Sequence, residues 1–310
     1  VICLVKRATT YKTSDGQKQL SDYSNGSESS NEICDMNDMN DMNNMSEMSE
    51  AKNECVSSQI TNSKHRLKFY SGTDPFELAE ILKKTVCKGN MRKYYRFRGG
   101  RFYGGISAAD CLGCVLDCVF CWSYKPRCNP EKVGKFYTPN EVIDKLIQIA
   151  KKNGYNKMRI TGNEPTFCKE HLLDVLELVP DEYLFILETN GILLDKSYVN
   201  SLEPFKHHLH VRVSLKAVTE EQFEAITGMS GKYVDYPFRS LKYLANTGIS
   251  SNAAIMNELV DESNMRVLYN KLDEIDNRFA RELELENLIM YPFVAAELSR
   301  RGLNKNFKPF

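Results

Sequence analysis

Strand-like and helix-like segments alternate from about residue 103 to residue 291, and this alternation narrows the available folds more than any other feature of the sequence. Thr138-Pro139-Asn140-Glu141 reads as a helix start: Thr138 suits the N-cap, Pro139 the first helical position, and Glu141 closes a capping box. Val142, Leu146, Ile149 and Ala150 then mark one apolar face, which ends at Asn153-Gly154. Residues 157–161 form a short expected strand before Gly162. A helix over 169–179 leads to an apolar strand over 183–187, which stops at Thr189-Asn190-Gly191. Further strands are expected at 103–109, 209–215, 251–256 and 286–291, with helices at 219–227, 236–246 and 262–279. About six strands joined by helices imply an α/β fold, a partial (open) parallel βα barrel. Ligands of such folds gather at the carboxyl ends of the strands.

The first 65 residues break the pattern. They are rich in Ser, Asn, Asp and Glu, and Met36, Met39, Met42, Met45 and Met48 recur at a period of three. That period matches neither helix nor strand, so no buried face results, and a low-complexity, disordered tail is expected. Residues 66–310 form the expected folded domain, with a motif-bearing core at 103–292. The formal charge of zero hides an acidic tail, six Lys/Arg against ten Asp/Glu, beside a mildly basic domain. The domain's excess is too small to argue for nucleic acid by itself. No apolar run is long enough to span a membrane, and Val1–Val5 is too short for the core of a signal peptide, so a cytoplasmic protein is expected.

Four of the ten cysteines lie within eleven residues: Cys111, Cys114, Cys118 and Cys121. In a large chain without a secretion signal, such crowding points to metal rather than disulfides. Cys114, Cys118 and Cys121 have the spacing C-x3-C-x2-C. Three thiolates so placed can hold three corners of an iron–sulfur cube and leave the fourth iron without a protein ligand. Two alternatives use the same residues. Cys111 could act as fourth ligand of a closed, ferredoxin-type cluster in a non-catalytic electron-transfer module. The four could also bind zinc, although structural zinc sites usually place a longer stretch between their knuckles.

The run Gly113-Cys114 through Phe120-Cys121 resembles the cluster loop of the radical S-adenosylmethionine (SAM) superfamily, in particular its pyruvate formate-lyase-activating-enzyme-like branch. Gly162-Asn163-Glu164-Pro165 resembles that branch's SAM-binding turn, and Glu188-Thr189-Asn190-Gly191 its acidic strand end. Ser214 and Lys216 fall on the strand that carries a SAM-contacting lysine. The order and separation of the four motifs also agree. The resemblance implies a 4Fe-4S cluster on Cys114, Cys118 and Cys121, and SAM contacts from Phe120, Gly162, Asn163, Glu164, Pro165, Glu188, Thr189, Asn190, Ser214 and Lys216. It implies an enzyme that cleaves SAM reductively and abstracts hydrogen from a substrate, fed by a low-potential flavodoxin- or ferredoxin-type electron donor. Three features depart from the branch. Asn163 replaces a glycine and is expected to tolerate a positive φ, Ser214 replaces an aspartate, and Trp122-Ser123 follows the last cysteine.

Other conspicuous residues have plainer readings. His208 and His210 share one strand face and His207 the other, so no second metal site is expected. Cys87, Cys128 and Cys168 are expected to be unligated thiols. Lys88, Arg92, Lys93, Arg96, Arg98 and Arg101 interleave with aromatic residues, which suits RNA but equally a strand with one wet face. A protein substrate is preferred, with an RNA-modifying enzyme as the alternative.

Overall fold

The computed structural model describes residues 6–7 and 72–303. The low-complexity, disordered tail expected over residues 1–65, with its methionine repeat, lies outside the described residues except at Lys6–Arg7. The fold is α/β around one mixed, ten-stranded sheet. In chain order the strands are β1 (Lys6–Arg7), β2 (Cys87–Lys88), β3 (Met91–Gly100), β4 (Ile106–Cys111), β5 (Lys135–Tyr137), β6 (Lys157–Gly162), β7 (Leu184–Thr189), β8 (Leu209–Leu215), β9 (Ser250–Met256) and β10 (Glu284–Glu286). Their order across the sheet is β1-β10-β9-β8-β7-β6-β4-β3-β2, with β5 paired to β3. The sheet therefore has two ends and is not closed into a barrel. The strands from β4 through β6, β7, β8 and β9 to β10 run parallel; β1, β2, β3 and β5 add antiparallel pairs at the two ends.

Most sequence expectations hold at the level of elements. Helix Pro139–Asn153 has its capping box at Thr138 and Glu141 and ends at Gly154 in the left-handed region. Three expectations need correction. The strand expected at 103–109 is β4, Ile106–Cys111; Phe102–Gly104 before it is a 3-10 turn. The strand expected at 286–291 is the shorter β10, with 287–291 irregular. The helix expected over 262–279 is broken at Asp276, which adopts an extended backbone and caps the next helix by accepting from Arg278 N.

Two apolar clusters fill the molecule. The larger lies between sheet and helices and joins Leu146, Ile160, Leu172, Phe185, Leu187, Val211, Leu241 and Leu268. Its members follow the strand and helix periods, alternate strand residues facing the helices. The smaller cluster gathers Val115, Leu116, Val119, Phe167, Ile192, Phe223, Met229 and Leu298 around the carboxyl ends of the strands. Among the described residues, no helix is long and apolar enough to cross a membrane.

Candidate functional site

The face of the sheet turned away from the larger cluster carries a group of charges, because Glu188 follows Leu187 on β7 and Arg212 lies between Val211 and Val213 on β8. Glu188 on β7 lies directly opposite Arg212 on β8. Arg212 donates to Glu284 at 2.6 Å and to Glu286 at 2.8 Å. Its side chain reaches β10 across β9, where the residue paired with Glu284 is only Ala254. Glu188 accepts from Arg159 Nη1 at 2.7 Å, Thr161 Oγ1 at 2.7 Å and Tyr103 OH at 2.9 Å. Burial opposes its ionisation, but Arg159, Arg212, Thr161 and Tyr103 outweigh burial and hold the carboxyl at about 2. Tyr103 has a φ of 56°, the only positive value among described non-glycine residues. The 3-10 turn before β4 thus adopts an unfavourable backbone conformation while placing a phenol in the ionic lattice.

The cysteine loop leaves the end of β4, and four segments converge on it. The backbone N–H of Asn163 donates to the Cys111 carbonyl at 3.1 Å, and that of Glu164 to the Gly113 carbonyl at 2.8 Å. Asn163 Oδ1 accepts from Gly113 N at 3.1 Å, while its Nδ2 donates to Ser123 Oγ at 3.0 Å. Asn163 therefore brackets the loop on both sides. The expected positive φ belongs to its neighbour Gly162 (φ 95°), where a Cβ would lie 2.9 Å from Cys111 N and O. Glu164 Oε1 accepts from Thr189 Oγ1 at 2.6 Å and Oε2 from Asn190 N at 2.8 Å, tying the end of β6 to that of β7. Pro165 opens a buried 3-10 turn. Asn190 Nδ2 donates to Cys114 Sγ at 3.7 Å, beside Leu116 N at 3.4 Å. Lys216 Nζ donates to Ser214 Oγ at 2.7 Å and lies 5.6 Å from the Phe120 ring centroid.

Cys114, Cys118 and Cys121 lie within or against the smaller apolar cluster, whereas Cys111 belongs to the larger one. The Cys111 sulfur accepts from Arg92 Nη2 at 3.4 Å. Burial pushes the Cys114 thiol well above its ordinary range, and Cys118, Glu164 and Cys121 add to the effect. Burial also lifts Cys121 to about 11, and it raises Cys118 although Lys216 and Arg127 oppose it. Crowded, largely buried thiols of this kind ionise together only when a cation offsets their charge. An iron–sulfur core supplies that charge, and N–H donors aimed at sulfur are among the features that tune such clusters. The donor set fits the group.

Further residues that shape the site have no local sequence signature. Asp117, inside the cysteine loop, is clamped by Arg127 and by Arg301, whose Nη2 reaches its carboxylate at 2.9 Å and its carbonyl at 2.7 Å. Arg92 is buried and donates to the carbonyls of Leu112, Glu164 and Pro165. Lys93 Nζ donates to the carbonyls of Pro130 and Glu131. Arg96 and Arg98 both bind the buried Asp110 and stack against Trp122, at 5.7 and 5.6 Å from its ring. Much of the basic stretch is thus turned onto the protein itself. Cys128 is in no disulfide and its sulfur accepts from Arg127 Nη2 at 3.7 Å, but Cys87 and Cys168 are joined in a disulfide, against the expectation of unligated thiols. It ties the end of helix Pro75–Val86 to the residue just past the Pro165–Phe167 turn.

The sequence profile of the Radical SAM superfamily matches residues 111–266, half of the chain. A relative from Thermoplasma volcanium, named "Probable GTP 3',8-cyclase", is 32% identical over 123 residues, covering 38% of this chain and 35% of its own length. Another, from Methanocaldococcus jannaschii and named as a glycyl-radical enzyme activating enzyme, is 29% identical, covering 39% of this chain and 44% of its own length. The matches thus span well under two thirds of these curated relatives. Among solved structures, AdoMet-bound native anSMEcpe is similar at 20% identity and a TM-score of 0.43, over 57% of this chain and 49% of its own. Streptococcus suis SuiB bound to precursor peptide SuiA is similar at 18% identity and a TM-score of 0.42, over 76% of this chain and 50% of its own.

Proposed function

The chain belongs to the radical SAM superfamily, and from that premise we propose that it is an enzyme that binds a 4Fe-4S cluster through Cys114, Cys118 and Cys121 and uses SAM to abstract hydrogen from a polypeptide. Membership implies an iron–sulfur cluster and SAM as cofactors. When bound, they supply reductive cleavage of the sulfonium bond and the radical chemistry that follows. The residues of this chain bind, orient and shield. The observation that carries the reading is the partition of the cysteines: three lie within or against the smaller cluster, while Cys111 sits in the other cluster against Arg92.

Asn190 and Leu116 donate to the Cys114 sulfur, and Lys216 holds positive charge near Cys118. Gly162, with no side chain, leaves the backbone of the β6 turn close against β4. Phe120, Asn163, Glu164, Pro165, Thr189, Asn190, Ser214 and Lys216 are the SAM-facing set. Glu188 serves this set through the lattice with Arg159, Thr161 and Tyr103. The six successive parallel strands are the partial barrel of this reading, within a domain of residues 66–310. The chain resembles the activating-enzyme-like branch in its motifs, while Ser214 and Trp122-Ser123 set it apart from the glycyl-radical activators. Polypeptide is preferred to RNA because Arg92 and Lys93 bind backbone carbonyls, and Arg96 and Arg98 bind Asp110. The electron donor is a low-potential flavodoxin or ferredoxin.

Anaerobic reconstitution tests the reading. About four irons per chain are expected, abolished by Cys118→Ala and retained in Cys111→Ala, with the reduced cluster's electron paramagnetic resonance signal changing when SAM is added. Loss of iron in both variants, or a signal indifferent to SAM, would mean a closed four-cysteine cluster and an electron-transfer module.

A further inference from the structure

At the amino ends of β7 and β8, opposite the cysteine loop, three donor atoms converge. Asp181 follows Pro180 in the turn before β7, and His207 and His208 occupy the turn before β8. A carboxylate oxygen of Asp181 and one ring nitrogen from each histidine all lie within 4.8 Å of one another. His207 Nε2 is 2.7 Å from His208 Nδ1 and 3.6 Å from Asp181 Oδ1. The histidines precede the strand, so strand alternation does not separate them. His210, the partner expected from strand parity, instead bonds Ser250 and Asn252. The turn is fixed by its backbone: His208 N donates to the Phe205 carbonyl at 3.1 Å, and Phe185 N to the His208 carbonyl at 2.7 Å.

Neither neutral tautomer satisfies this arrangement. If His208 Nδ1–H donates to His207 Nε2, then His208 Nε2 is a buried lone pair with no donor. His207 would also turn an accepting nitrogen toward the Asp181 carboxylate. If His207 Nε2–H is the donor, His208 Nε2–H is buried and makes no hydrogen bond. The Leu176 carbonyl lies near enough to raise the ring's proton affinity, yet Nε2 has no hydrogen-bond partner. We propose that Asp181, His207 and His208 form a second metal site, separate from the cysteine loop, that takes a divalent transition ion of the zinc type. A cation at the point of convergence accepts both lone pairs and offsets the carboxylate. Two imidazoles and one carboxylate suit zinc, with water completing the coordination. His208 is buried and therefore preset, while His207 and Asp181, with side chains 59% and 94% exposed, are free to close on the ion. Burial, and then His207, lower the proton affinity of His208, which favours the neutral form that binds metal.

The test uses the cluster-loaded full chain, equilibrated with Zn2+ while zinc and iron are both counted. One zinc per chain is expected with no loss of iron. Asp181→Asn and His207→Ala should each weaken zinc binding by about tenfold or more, and His210→Ala should leave it unchanged. Asp181 is so exposed that its replacement spares the fold. Co2+ in place of Zn2+ should give a visible absorption band that disappears in His207→Ala. Zinc binding with equal affinity in Asp181→Asn and His207→Ala overturns the proposal. So does a parent protein that takes up no zinc, or takes it up only as iron is lost.

Discussion

The two apolar clusters are built by different rules. The one between sheet and helices is made of regular elements, and each member contributes through strand alternation or a helical stripe. The one around the cysteine loop is made of segments remote in sequence, and its shape depends on polar brackets: Asn163 across the loop, Arg92 under the strand ends, Arg127 and Arg301 on Asp117. The first cluster sets where the strand ends lie. The second decides what they hold. Damage to the first should cost stability, and damage to the second should cost the cofactor as well.

The largest test of this contrast pairs Asp117→Ala with Leu146→Ala. Removing Asp117 takes the shared carboxylate away from two arginines whose side chains are only 2% and 5% exposed, a loss of roughly 3–5 kcal/mol. Iron retained per folded chain should fall with it. Leu146→Ala opens a cavity beneath the helix at a similar cost of roughly 2–5 kcal/mol, and iron per folded chain should stay at the parental level. Denaturant titration with iron analysis of the folded fraction reads both, and equal iron loss in the two variants would erase the distinction.

The ionic lattice on the polar face gives an effect that depends on pH. The folded Glu188 carboxyl titrates at about 2, against an ordinary value of 4.5. Its contribution to stability is therefore complete above about 4.5 and disappears as pH falls from there toward 2. Stability measured across that window should decline less steeply in Glu188→Gln than in the parent. A parallel decline would show that the lattice does not depress this group.

The smallest pair is Asn163→Ala against Thr138→Ala. The first leaves Gly113 N–H and Ser123 without their bracket and should cost about 1–3 kcal/mol, with faster iron release. The second removes a helix cap at about 1 kcal/mol and should leave iron release unchanged. Iron release followed by a chelator separates them.

The same contrast explains what could be read from sequence. β8 falls on the residues expected, and helix Pro139–Asn153 begins and ends at the signals present in the chain, because period and capping are local. The motifs at 113–121, 162–165, 188–191 and 214–216 were legible as types in order, and the structure brings them to adjoining strand ends. What escaped was partner choice. Nothing near Arg301 announces that it reaches Asp117, and Arg92 and Lys93 look like surface cations until the fold closes over them. Asn163 was explained by backbone tolerance, whereas its side chain bridges two distant residues. The break at Asp276 was missed because the apolar stripe continues through it. His207 and His208 were separated by a parity that applies only once the strand has begun.

Trp122 is the only tryptophan in the chain, and it stands beside Cys121 between Arg96 and Arg98. Its emission reports the cysteine loop alone, whereas far-ultraviolet dichroism averages over every helix and strand. If the two clusters melt as one unit, the two signals trace a single curve. If the brackets fail first, the fluorescence transition comes earlier, and the gap between the curves measures how far the loop is uncoupled from the scaffold beneath it.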